Sequence, residues 1–261
     1  KFNYNIRNLP GHQSRVPDFR SEVRMDPPGE HGCRFPGEGR DMEPDSILFL
    51  HGFASSSKGE KGTFLGEKFT EVEEITFHAV DFNPTPTDFK QMTVTGMINR
   101  LRQFVLDRDL GEVSLIGSSL GALVALHYGR WYPVRRLLLL APLLYYQSLS
   151  MSDDDLSLWE ERATIDIDHY AFPGKLPLLY DFHLDGQRYD EIVDPPAETL
   201  VIHGWQDEIV PVEDSRFFAE KYEGRVELRE VKSDHRLGDQ LDVIWESVES
   251  FLLNGVTGAE A

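Results

Sequence analysis

Between about residue 46 and residue 253 the apolar positions fall into two alternating rhythms. One consists of short runs: Ile47-Leu48-Phe49-Leu50, Ile75 to Val80, Val113-Ser114-Leu115-Ile116, Leu137 to Leu140, Thr199-Leu200-Val201-Ile202 and Val226 to Val231. Each reads as a strand, and the continuous apolar run Ile47 to Leu50 as one buried on both faces. The other rhythm is helical. Within 88–106 the apolar residues Met92, Val94, Met97, Ile98, Leu101, Phe104 and Val105 recur on one face. Further helices are expected over about 61–70, 120–132 (ending before Pro133), 213–222 and 239–253. Strand and helix in strict alternation predict an α/β fold, a mostly parallel sheet flanked by helices.

The alternation pauses from about 143 to 196. This stretch holds the acidic run Asp153-Asp154-Asp155 and many large apolar residues, among them Trp159, Tyr170, Phe172, Tyr180 and Phe182. It reads as an inserted helical cap, leaving a core of 46–142 and 197–254. Residues 1–45 are polar and rich in Pro and Gly. The segment Pro27-Pro28-Gly29-Glu30-His31-Gly32 is incompatible with a helix interior, and one short strand is expected at most, near Ser21 to Met25. Residues 255–261 read as a loose tail.

Composition narrows the picture. Of 261 residues 40% are hydrophobic and 27% charged, an ordinary globular balance. The formal net charge of −19, from 45 acidic and 26 basic residues, disfavours nucleic acid and anionic membrane surfaces as partners. The single cysteine, Cys33, permits no intramolecular disulfide and has no metal-ligand spacing around it. The start, Lys1-Phe2-Asn3-Tyr4-Asn5, is not followed by an apolar leader segment. The longest apolar run, Leu137 to Tyr146, is half the roughly 20 residues a membrane span requires. A cytoplasmic location is expected. Oligomeric state leaves no trace in the sequence.

Gly117-Ser118-Ser119-Leu120-Gly121 matches G-x-S-x-G. Alone the pattern is weak, because Gly and Ser are common residues. Here it follows a predicted buried strand and opens a predicted helix, the setting of a nucleophile on a sharp turn. The flanking glycines remove side chains that would clash with the neighbouring strand and helix. A serine hydroxyl needs a base to become a useful nucleophile. His235, in the loop after the last strand, is the candidate. His127 reads as a packed helix histidine, His169 and His183 as surface residues of the insertion, and His203 as structural. For the acid that orients the base, Asp207 follows the strand Leu200 to Ile202 and can reach Nδ1 of His235. Asp234 and Glu208 are the rivals; neighbouring side chains such as those of Asp234 and His235 usually point apart. Oxyanion donors are expected at the backbone N–H of Leu120, after the nucleophile, and of Phe53, in the turn His51-Gly52-Phe53-Ala54 after the first strand.

With these residues in view the chain resembles the α/β-hydrolase superfamily over about Ser46 to Leu253. The resemblance rests on His51-Gly52-Phe53, the Gly117 to Gly121 turn, the Gly204 to Pro211 loop and the His235 loop. Leu50-His51-Gly52-Phe53-Ala54-Ser55-Ser56 and Ile116-Gly117-Ser118-Ser119-Leu120-Gly121 are similar to the small bacterial YqiA-like esterases. The resemblance implies a two-step acyl transfer on a small-molecule carboxylic ester, through Ser119, His235 and Asp207, with no metal or organic cofactor. Thioesterase, acyltransferase and carbon–carbon bond hydrolase activities on the same residues remain open. So does a noncatalytic binding module of this fold, since fold alone does not fix function. A protease or amidase ranks lower, because no separate domain restricts peptide access. The aromatic residues of the insertion predict an apolar acyl or aromatic pocket.

Overall fold

The computed structural model describes residues 45–148 and 151–253. The expectations for the N-terminal extension, its possible strand, Cys33 and the tail lie outside the described residues.

Among the described residues six strands form one parallel sheet: β1 (Asp45–Leu50), β2 (Ile75–Val80), β3 (Val113–Ser118), β4 (Val134–Leu140), β7 (Glu198–Gly204) and β8 (Val226–Val231). Their order is β2-β1-β3-β4-β7-β8, which puts β2 and β8 at the edges. Side chains alternate between the two faces, as the pleat requires. Leu48, Leu50, Leu115, Leu137, Leu139 and Val201 join one core cluster. Ile47, Phe49, Ile116, Leu138, Leu140, Leu200 and Ile202 join the other. Both faces are apolar, so both must be covered. Helices α1 (Glu60–Phe69) and α8 (Leu241–Ser247) bury Leu65, Phe69 and Ile244 on the second face. α8 continues into a wider π-helical turn, Val248–Leu253. On the first face lie α3 (Val94–Asp107), α4 (Leu120–Gly129) and α7 (Val212–Lys221).

The helix expected over 88–106 is two helices, α2 (Pro86–Lys90) and α3. Thr85 caps α2 through a reciprocal pair with Asp88. Gln91 then leaves the helical path, and the Thr93 hydroxyl accepts from the Gly96 N–H to start the chain again. The apolar spacing runs through the break because Phe89, Met92, Val94 and Met97 all face the same core.

Between β4 and β7 the chain forms α5 (Asp153–Arg162), the strands β5 (Thr164–Asp168) and β6 (Lys175–Leu179), and α6 (Asp181–Gly186). The expected helices are therefore accompanied by an antiparallel β5–β6 hairpin that the reading of the sequence lacked. β6 lies against α2 and α6 against α3. The segment puts Leu143, Leu144, Tyr146, Trp159, Leu178 and Phe182 into the same cluster as α4. Packed between this segment and the sheet, α4 is buried on every side from Leu120 to Tyr128, which explains a sequence that is apolar but for His127.

Candidate active site

The chain enters the sheet at β1, runs to the edge at β2, and returns to the other side of β1 at β3. The loops after β1 and β3 therefore diverge at the carboxyl ends of adjacent strands. Such a switch point is where open α/β sheets form their crevice. His51 to Ala54 follow β1, and Ser119 follows β3.

Ser119 has φ 51° and ψ −116°, a conformation that costs an L-residue energy and persists only when its surroundings enforce it. The surroundings here are backbone. The Ser119 N–H donates to the Leu140 carbonyl at 2.9 Å, and its own carbonyl accepts from Ala122 at 2.9 Å and Leu143 at 3.2 Å. A Cβ on Gly121 would stand 2.2 Å from the Leu50 carbonyl oxygen, and one on Gly117 2.7 Å from the Ala122 Cα. The two glycines of the motif are thus required by close approach, as expected.

The structure brings Ser119, His235 and Asp207 into one line. His235 Nε2 lies 3.0 Å from Ser119 Oγ, and His235 Nδ1 lies 2.7 Å from Asp207 Oδ2. The Asp207 side chain is fully shielded from solvent, and that of His235 retains 16% exposure. An ionised carboxylate only accepts hydrogen bonds, so Nδ1 of His235 carries the proton and Nε2 faces the serine as acceptor. Burial opposes the charge on Asp207. The hydrogen bonds from His203, His235 and the Val210 N–H outweigh it and hold the carboxyl well below the usual carboxylate range. Its other oxygen, Oδ1, accepts from Ile209 N–H at 2.8 Å and Val210 N–H at 2.9 Å. The rivals stand apart: Asp234 accepts from the Arg236 N–H within its own loop, and Glu208 is exposed.

Phe53 and Leu120 lie on the two loops that meet at the serine. A Cβ on Gly52 would come within 3.2 Å of the Ser118 carbonyl oxygen and 3.3 Å of the Ser119 Cβ, so the turn after β1 runs against the serine turn. Leu120 is the first residue of α4, where backbone N–H groups have no partner within the helix. The Phe53 ring packs on Phe89 and Phe182, 6.0 and 5.5 Å between centroids, joining the loop to the segment between β4 and β7.

His51 was named from the sequence only as part of the His51-Gly52-Phe53 turn, with no role of its own, yet it orders the Phe53 loop. Its Nδ1–H donates to the Gly52 carbonyl at 2.9 Å, and its Nε2 accepts from the Phe82 N–H at 3.1 Å. Gly52 C=O and Phe53 N–H belong to one planar trans peptide and point in opposite directions, so anchoring the carbonyl aims the N–H. Asp81 stands 3.6 Å from His51 Nε2. Burial works against its charge too, but nearby His51, the Ser57 hydroxyl and the Asn83 N–H bring it down to about 2.

The other histidines divide as follows. His127 is buried in α4, edge-on to Tyr189, and burial, with Arg130 nearby, pushes it down to about 4. His183 stacks on Tyr180. His169 is buried rather than a surface residue: it meets Asn83 Nδ2 at 3.2 Å and accepts from the Ala171 N–H at 3.1 Å. Tyr170 N–H donates to the Ala54 carbonyl at 3.0 Å, so the turn after β5 is tied to the loop after β1. His203 reaches Asp207 at 3.0 Å. The available signal for it was the dipeptide His203-Gly204, which repeats His51-Gly52 at the end of another strand.

The family model described as "Uncharacterised protein family (UPF0227)" matches residues 46–252. No curated protein matches the chain. Among solved structures the fold is shared with α/β hydrolase domain-containing protein 10 from mouse, at 20% identity and TM-score 0.64 over 81% of this chain and 90% of that one. It is shared with Est1E from Butyrivibrio proteoclasticus, solved with bound ferulic acid, at 20% identity and TM-score 0.65 over 81% and 89%. A third is the esterase domain of a Rhodothermus marinus protein, at 16% identity and TM-score 0.57 over 81% and 88%. Among the described residues no helix is long and apolar enough to cross a membrane.

Proposed function

The chain belongs to the UPF0227 family and has the α/β-hydrolase fold, and from this premise we propose that it is a serine hydrolase cleaving carboxylic esters with small to medium apolar acyl or aromatic groups. The observation that carries the reading is the hydrogen-bonded line from Ser119 through His235 to Asp207, at 3.0 and 2.7 Å.

In this reading Ser119 Oγ attacks the ester carbonyl while His235 Nε2 takes its proton. Asp207 holds the tautomer and stabilises the imidazolium. Charge develops on the carbonyl oxygen, and the N–H groups of Phe53 and Leu120 are the proposed donors to it. The tetrahedral adduct collapses as His235 returns the proton to the leaving alcohol, and an acyl-serine remains. Water, deprotonated by His235, then releases the acid and restores the serine. The segment 143–196 acts as a cap over this chemistry. Its Tyr146 and Phe182, 5.7 Å apart and joined to Phe53, supply an apolar wall that favours uncharged acyl groups.

The test is hydrolysis of p-nitrophenyl esters from acetate to palmitate, with Ser119→Ala beside the wild type. Loss of the nucleophile is expected to lower the rate by about 10⁴-fold or more, and the chain-length profile measures the pocket. Turnover that survives in Ser119→Ala would remove Ser119 from the mechanism. Turnover of thioesters alone would move the substrate class without moving the residues. Equal rates on charged and apolar esters would remove the apolar preference.

A further inference from the structure

The line of hydrogen bonds does not stop at Asp207. His203 Nε2 lies 3.0 Å from Asp207 Oδ2, the same oxygen that accepts from His235. His203 Nδ1 lies 2.7 Å from Ser215 Oγ at the start of α7. Both His203 and Ser215 are fully buried. The ionised Asp207 fixes the proton of His203 on Nε2, where it is shared with the Val210 carbonyl at 3.1 Å. Nδ1 is then an acceptor, and the Ser215 hydroxyl donates to it. Five side chains thus form one connected network that converges on the carboxylate: Ser119 donates to His235 and His235 to Asp207, Ser215 to His203 and His203 to Asp207.

We propose that His203, held by Ser215, is a positioning residue of this site: it fixes the Asp207 carboxylate and sets the pH at which His235 becomes a competent base. The inference rests on the Ser119–His235–Asp207 reading. The physical argument concerns one oxygen atom. Oδ2 divides its negative charge between two N–H donors, and Oδ1 is already occupied by two backbone N–H groups. Removing His203 leaves that oxygen to His235 alone. The imidazolium of His235 is then better stabilised, its pKa rises, and neutral His235 is reached only at higher pH. The acid limb of the reaction therefore moves upward.

Other charges around the pair are accounted for. Glu230 sits opposite His203 across β7 and β8, and Arg216 holds it with two hydrogen bonds, at 2.9 and 2.6 Å. Asp214, beside Ser215, accepts from Tyr145 and Ser148. Asp234 and Arg236 flank His235, the Lys61 ammonium of α1 donates to the Arg236 carbonyl, Tyr170 accepts from the Arg236 guanidinium, and Asp239 accepts from Ser233. None of these carries a hydrogen bond to Asp207 Oδ2, so His203 is the group whose removal changes that oxygen.

Two measurements test the inference. The first is the rate at which diisopropyl fluorophosphate labels Ser119, followed by mass spectrometry from pH 4.5 to 9. His203→Leu is expected to shift the acid limb upward by about 0.5 unit or more, a roughly threefold slower labelling on the limb. His203→Gln, which keeps an N–H donor, should return it toward the wild type. The second is the imidazole NMR titration of His235 in the same proteins, which needs no catalysis and should show the same shift. If His203→Leu does not fold, Ser215→Ala decides; it unpins His203 and should shift the limb the same way by less. A limb and a His235 titration that stay at the wild-type position in the folded variant overturn the inference. Failure of the wild type to label would instead overturn the serine-hydrolase reading, and the NMR titration would still decide the effect of His203.

Discussion

Two strands of the sheet end in the same dipeptide, and the two copies are used differently. His51-Gly52 closes β1, and His203-Gly204 closes β7. In both, another backbone passes close to the glycine, too close for a side chain at Gly204 and merely tight at Gly52, and the histidine ring turns back to fasten the loop that follows. His51 fastens backbone: the Gly52 carbonyl and the Phe82 N–H. Its neighbouring carboxylate, Asp81, stays 3.6 Å away and partly exposed. His203 fastens a carboxylate, Asp207, whose side chain no solvent reaches. The difference lies in what each loop is asked to hold. A peptide N–H needs only an orientation. A buried negative charge needs donors at every lone pair, because an unpaired charge in a dry site is far costlier than an unpaired dipole.

The sharpest way to break this comparison is to neutralise each carboxylate in turn. Asp207→Asn is expected to lower kcat for ester hydrolysis by about 10⁴-fold, since an amide can present the wrong partner to His235. Asp81→Asn should cost less than about tenfold, because Asp81 holds a loop rather than the base. Equal losses would mean that the two carboxylates do the same job. A second test removes the ring that aims Phe53. His51→Ala should lower kcat by on the order of 10²-fold with little change in KM, the signature of a lost oxyanion donor. Its pH profile should keep the wild-type acid limb, in contrast to His203→Leu.

The glycines sharpen the comparison on the stability side. A methyl group on Gly204 would stand 2.3 Å from the Ser233 carbonyl oxygen, against 3.2 Å for the nearest atom at Gly52. Gly204→Ala should destabilise by about 3 kcal/mol and Gly52→Ala by about 1 kcal/mol or less, measured by urea unfolding. The smallest effect is one of pH. Asp81 is brought down to about 2 in the folded protein, so its contribution to stability is present above its ordinary value. That contribution is lost as pH falls from about 4 toward 2, and is worth at most about 2 kcal/mol. Asp81→Asn should flatten the stability curve over that window. Asp207 has the same sign over a window that extends lower.

The sheet was readable because its inner strands β1, β3, β4 and β7, buried over most of their length, have little choice but to be short and apolar, while β2 and β8 are only partly buried. β5 was missed for the opposite reason. Thr164-Ile165-Asp166-Ile167-Asp168 alternates in period two, but the strand is only partly buried, and its pairing with β6 depends on a turn rather than on a core. The break before α3 was hidden because Thr93 interrupts the hydrogen bonds without interrupting the apolar face. At the site, Ser119 announced itself through local turn chemistry, and Asp207 and His235 through their places after strands. His203 and His51 did not. Their partners are set by how neighbouring loops fold back, and a histidine before a glycine carries no mark of what its ring will touch. The buried place of His169 is set in the same way, by a hairpin turn meeting a loop 86 residues away.

The order of strands also fixes when the molecule becomes an enzyme in the proposed sense. The nucleophile turn, the Phe53 loop and the acid loop all hang from β1, β3 and β7. The proposed base follows β8, which has one neighbour among the described strands, and lies 116 residues downstream of the proposed nucleophile. Ser119, Phe53 and Asp207 all precede β8 in the chain, so the proposed triad is complete only once β8 has docked. In the finished protein the same strand is a natural place for the sheet to fray first, since edge elements open at lower free energy than the core. Ester turnover then reports on the last step of folding rather than on the bulk of the fold, and should fade under denaturant before the tryptophan and helix signals do.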